Sequence, residues 1–183
     1  MASIHGYIED RDLKQFYDIR DWRGSVPKST QRPWTLFSLL KSNKDFFYFT
    51  YLVEKAGLDG IFNSNTEFDT YTLFVPSDTY LVKRFDVNSI KNMDRYTARE
   101  IVLYSSLNRQ IYMPFLRSSP AMYINTRIPG SRILVENIKS NGVTTLDGCV
   151  KIIEGDIVAT NGVIHVVNNL LWPKSFSISN TAY

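Results

Sequence analysis

The dipeptide Asn161-Gly162, set between an apolar stretch and a β-branched run, constrains this chain more than any other feature. A tight type I′ turn needs positive φ at both central residues, and Asn-Gly supplies it at least cost. Residues 156–159 precede the dipeptide, and 163–167, Val-Ile-His-Val-Val, follow it. The pattern predicts two strands joined by that turn near the C-terminal end, with His165 on the second.

Upstream the pattern is helical. Thr35 is placed to cap a first turn over residues 35–40, residues 45–56 form a longer run, and Gly57 suits the left-handed position that closes it. The aromatics Phe46, Phe47, Phe49 and Tyr51 on that run are expected in the core. Residues 60–70 read as loop and 72–75 as a short buried strand. Pro76-Ser77-Asp78 then starts another helix, with Asp78 as a cap rather than an acid catalyst. A third helical run covers 94–103.

Beyond Gln110 the character turns to β, at 111–113, 121–126, 132–137, 143–146 and 149–153, with Asn141-Gly142 and Asp147-Gly148 as hairpin turns. Helices gather in the first half and strands in the second, which argues α+β rather than an alternating parallel sheet. Residues 1–34 form a separate polar zone, in which Leu13, Phe16, Tyr17 and Arg20 recur at the spacing of one short amphipathic helix. A helix that short is marginal in water and needs a surface to lie on.

Composition narrows the function. Net charge is only +3, from 21 basic and 18 acidic residues, and no dense basic stripe is present to neutralise phosphates, so no nucleic acid partner is expected. No run of about 18 apolar residues exists to span a membrane. The N-terminal sequence has no apolar signal region, and no Asn-x-Ser/Thr sequon occurs. Cys149 is the single cysteine and reads as a small buried hydrophobe within an apolar run. His5 and His165 have no Cys or His neighbour at metal-ligand spacing, and no Gly-rich phosphate loop occurs. A histidine in an apolar strand reads as a satisfied structural residue. No catalytic residue, cofactor, metal or small-molecule substrate is therefore expected; hydrolase chemistry at His165 is a third reading.

Four segments, in order, resemble the fasciclin domain of adhesion and matrix proteins. Residues 35–58, TLFSLLKSNKDFFYFTYLVEKAGL, resemble its opening helices, and 72–81, TLFVPSDTYL, its first signature box. Residues 101–107, IVLYSSL, stand where the family has a Tyr-His box, and 155–173, GDIVATNGVIHVVNNLLWP, match its closing box. The resemblance implies a compact β wedge or sandwich covered by helices over 35–173, with extended arms at 1–34 and 174–183. In related matrix proteins the Tyr-His box, and a Glu-Pro-Asp-Ile-Met sequence beside the closing box, are associated with integrin binding. Here the first has Ser105 for histidine, and the second reads Glu154-Gly155-Asp156-Ile157-Val158.

The function expected from this reading is non-enzymatic protein–protein interaction. Phe16, Tyr17, Trp22, Tyr104, Asp156 and Ile157 are the candidate contact residues. Richness in Asn, Ile, Lys and Tyr fits an AT-rich genome, and with the absent signal and sequon it favours protein partners in a larger assembly, such as a minor component of a virus capsid. The expected location is then a virion or intracellular assembly. The alternative is an extracellular cell-adhesion or matrix-binding protein.

Overall fold

Thr35 opens the fold: its hydroxyl accepts a hydrogen bond from the Ser38 N–H at 3.2 Å and caps helix α1 (Leu36–Ser42). Residues 34–66 and 68–176 are described by the computed structural model; Phe16, Tyr17, Trp22, His5, the arm at 1–33 and the tail from 177 lie outside them. A 3-10 turn (Lys44–Phe46) leads into α2 (Phe47–Ala56), which Gly57 closes at φ 70°, as a left-handed cap requires. On α2 the residues Phe49, Leu52, Val53 and Ala56 are all buried. Their spacing of three and four draws one apolar stripe along the helix. Phe46 is buried too, but Phe47 points outward and is 55% exposed, against the expectation that it joins the core.

Residues 59–62 fold into a single helical turn, α3 (Asp59–Phe62), inside the stretch expected to be loop. The burial of Phe62 fixes that turn, although Gly60 disfavours it. Strand β1 (Tyr71–Pro76) is followed by α4 (Asp78–Leu81), α5 (Val87–Lys91) and α6 (Arg95–Tyr104). Asp86 and Asp94 cap α5 and α6 by accepting the Asn88 N–H (3.1 Å) and Thr97 N–H (2.9 Å). Helix α5 leaves no trace in the sequence pattern because Ile90 alone of its residues is fully buried.

Next come β2 (Ser106–Leu107), α7 (Met113–Leu116), β3 (Ala121–Asn125), β4 (Arg132–Ile138), β5 (Val143–Leu146), β6 (Val150–Ala159) and β7 (Gly162–Val167). They make one mixed sheet in the order β2-β1-β7-β6-β5-β4-β3. The β1–β7 pair is parallel, from Tyr71↔Gly162 to Pro76↔Val167, and the other neighbours are antiparallel. Residues 111–113, expected as a strand, instead lead into α7 with Pro114 in its first turn, where a missing N–H costs nothing.

Every residue of β1 and of β7 is buried, which is why both are largely apolar, with Thr72 and His165 the polar exceptions. Leu73 and Val75 of β1 and Ile164 and Val166 of β7 pack into a core formed with α1, α2 and α6. Phe74 and Val167 face the other way, onto Ile124, Ile133, Val135 and Leu146 of the antiparallel strands. The sheet segment β1–β7 thus lies between helices and hairpins.

The turns differ from expectation in one informative way. Asp147 (φ 50°) and Gly148 (φ 75°) do take positive φ, in a three-residue loop between β5 and β6. Cys149 closes that loop and is exposed, not buried, because the apolar run begins one residue later at Val150. The β6–β7 turn is made by Thr160-Asn161, and Asn161 has no positive φ; Gly162 already pairs with Ala159. Asn161 serves through its side chain. Its Oδ1 accepts the Leu36 N–H (2.8 Å), and its Nδ2 donates to the carbonyls of Phe62 (2.8 Å) and Ser64 (2.7 Å). Gly162 is needed for space, since a Cβ there would stand 2.1 Å from the Tyr71 carbonyl oxygen.

Candidate interaction site

The closing box folds into a corner built on His165. Strand β6 runs unbroken through 150–159, and the Gly155-Asp156 pair that looks like a break is an irregularity in its pairing with β7 between Glu154 and Ile157. Asp156 adopts φ 59° there, a conformation that aspartate tolerates better than bulkier residues. Gly155 lies hard against α7: a Cβ would meet Met113 Cγ at 2.2 Å and His165 Nδ1 at 3.2 Å.

His165 is buried beneath this bulge, stacked on Phe74 with ring centroids 5.7 Å apart. Its Nδ1 accepts the Asp156 N–H at 3.2 Å, so the proton sits on Nε2, which donates to the Ile111 carbonyl at 2.7 Å. Burial holds its pKa below the usual histidine value, against the opposing pulls of the Ile111 bond and the Asp156 charge. With the ring neutral, the 3.9 Å between Nδ1 and Asp156 Oδ1 is proximity rather than an ion pair. Both ring nitrogens are committed to backbone groups, and neither is left to activate a nucleophile. Among the described residues no group of His, Cys, Asp and Glu could hold a metal ion.

The Asp156 carboxylate has a structural bond and an open side. Oδ1 accepts the Met113 N–H at 2.8 Å and so anchors the start of α7, while the side chain stays 31% exposed. Tyr112, itself exposed, lies within reach of the carboxylate's charge, and Phe115, exposed on α7, has the Arg109 guanidinium 5.6 Å from its ring centre. Burial, then the Asp156 charge, raises the Tyr112 phenol above its ordinary pKa. The corner therefore presents one partly exposed carboxylate near an exposed tyrosine, anchored by its bond to the start of α7.

The other sequence candidates fall elsewhere. Ile157 is buried in the helical core next to Asp156. Tyr104 is fully buried in the second core, where its hydroxyl donates to Asp147 Oδ2 at 2.6 Å; burial and that bond push its phenol pKa up. It presents no surface. Ser105, beside it, is buried with its hydroxyl unpaired. Tyr112 and Phe115 were not among the expected contacts. No local pattern marks them, because residues 111–113 suggest a strand rather than the lead into α7.

A seven-stranded mixed sheet packed against helices defines an α+β domain. The chain belongs to the fasciclin domain family, whose model matches residues 44–173. It is 31% identical over 147 residues to periostin of Homo sapiens, a match covering 80% of this chain and 17% of periostin. Its fold is similar to that of the FAS1 domain pair of the insect cell adhesion molecule Fasciclin I, with a TM-score of 0.57 at 16% identity, over 78% of this chain and 52% of that one. The chain thus spans a small part of periostin's length and about half of the Fasciclin I pair.

Proposed function

We propose that this chain is a non-enzymatic adhesion module that holds extracellular protein partners through the corner formed by Arg109, Tyr112, Phe115 and Asp156. The observation that carries the reading is the Asp156 carboxylate, at a residue with φ 59°, anchored to the Met113 N–H and left partly open near the exposed Tyr112. Aromatic and arginine side chains around a fixed polar group are the composition of an interaction hot spot. Kinship with the fasciclin domains, and with a cell adhesion molecule in fold, supports the adhesive reading over the capsid-assembly reading, which no feature of the fold favours. Residues 35–173 would carry the module, with 1–34 and 174–183 extending its reach.

Immobilised protein should retain cells, and Asp156→Asn should reduce that retention. The asparagine keeps an acceptor for the Met113 N–H and tolerates positive φ, so the charge alone is removed. Equal retention by wild type and variant would exclude the carboxylate from the contact.

A further inference from the structure

The sheet ends in two unlike edges. One is β2, two residues long; the other is β3, Ala121–Asn125, paired with β4 in unbroken register from Ala121↔Glu136 to Asn125↔Arg132. Proteins guard an edge of this kind with a lysine, a proline, a bulge or a covering element. The β3 sequence, Ala-Met-Tyr-Ile-Asn, carries neither charge nor proline, and its ladder has no bulge.

The ladder fixes which backbone groups face outward. The Asn137 N–H donates to the Pro120 carbonyl (2.8 Å) and the Thr126 N–H to the Ser131 carbonyl (2.9 Å). Even-numbered positions therefore bond to β4, and the N–H and C=O groups of Ala121, Tyr123 and Asn125 face the free edge. Among the described residues, the Ser119 hydroxyl on the Ala121 carbonyl (3.2 Å) is the one bond to these groups.

This edge is complementary to itself. Laid antiparallel about Tyr123, two copies would place Tyr123 opposite Tyr123 and exchange two N–H···O bonds, with Ala121 opposite Asn125 adding a pair on either side. The faces also match. Met122 and Ile124 point toward the second core, Ile124 buried and Met122 half-buried, and each would meet the other's counterpart across the two-fold axis. On the opposite face the exposed Tyr123 ring, with the Arg132 guanidinium 4.6 Å from its centre, would lie beside its equivalent.

We propose that β3 is a homophilic pairing edge, on which a second copy of this chain docks antiparallel and extends the sheet across two molecules. The surface is separate from the Asp156 corner and does not depend on it. A ribbon of five residues buries less than the roughly 1,200–2,000 Å² of a stable complex, so the pairing is weak and concentration-driven.

Amide exchange of the full chain, followed from about 10 μM to about 1 mM, tests this in the range of a weak Kd. Protection of the Tyr123 and Asn125 amides should rise about fivefold or more with concentration, while Met122 and Ile124, already bonded to β4, should not change. Y123K sets like charges opposite each other across the axis. It should abolish the concentration dependence, with thermal unfolding in dilute solution unchanged; Y123F should retain it. Should Y123K unfold, sedimentation of the wild type across the same range decides by its mass. Fast exchange at every concentration would overturn the proposal. So would protection independent of concentration, which would place the chain's own residues 177–183 on the edge, or dependence surviving in Y123K.

Discussion

Asn161 ties three separated segments together through one side chain. Its buried amide joins the start of α1, the end of α3 and the β6–β7 turn. Asn161→Ala would leave one N–H and two carbonyls without it, and should cost about 3 kcal/mol in chemical denaturation. A loss below about 0.5 kcal/mol would mean that other groups take over those bonds. His165 gives a second test. Its pKa is depressed, so its contribution to stability is present above pH 6.5 and is lost as pH falls through the lowered folded value. An NMR titration of its ring should show it neutral at pH 6, and a midpoint at or above the ordinary value would contradict its burial. The sequence showed that Asn161 and His165 matter, but for Asn161 it suggested the wrong reason. Asn-Gly signals positive φ, whereas a bond to residues a hundred positions away leaves no local signature.

The helices are tied together by two carboxylates that exchange places. Asp78, expected to cap its own helix α4, instead accepts the N–H groups of Phe47 (2.8 Å) and Tyr48 (3.2 Å) at the start of α2. Asp45, in the turn before α2, accepts the Thr79 N–H (2.9 Å) at the start of α4 and is bonded by the Ser77 hydroxyl. Each helix start is capped from the other. Asp45→Ala should therefore cost about 1–2 kcal/mol, and a double-mutant cycle with Asp78→Ala should depart from additivity. Burial, and to a lesser degree the Asp45 charge, raises Asp78 to about 6, against the pull of the two N–H groups. A raised carboxyl favours the fold at low pH, and that contribution fades as pH rises through about 6. Asp78→Asn does not ionise, so its stability relative to wild type should climb between pH 4 and 6 and then level off. Helix starts and stripes were legible because capping and periodicity are local. The partner of Asp78, thirty residues back, was not.

The helices and hairpins meet on the β1–β7 pair, which joins an early strand to the last one. Residues 72–75 were legible as a buried strand and 163–167 as a strand, but the parallel pairing between residues ninety positions apart follows from packing rather than from any local code. The Asp156 corner was legible in part. The carboxylate stood in the closing box, whereas Tyr112 comes near it only because the segment before β3 folds back as α7 against Gly155. Gly155→Ala should test that close approach: its Cβ would strike Met113, at a cost of about 2 kcal/mol that Met113→Ala relieves. Retention of cells by the immobilised chain, with Tyr112 and Phe115 both changed to serine, tests the adhesive role of the Asp156 corner most directly. Both rings are exposed, so the thermal midpoint should hold while retention is lost. Retention undiminished at an unchanged midpoint would contradict it.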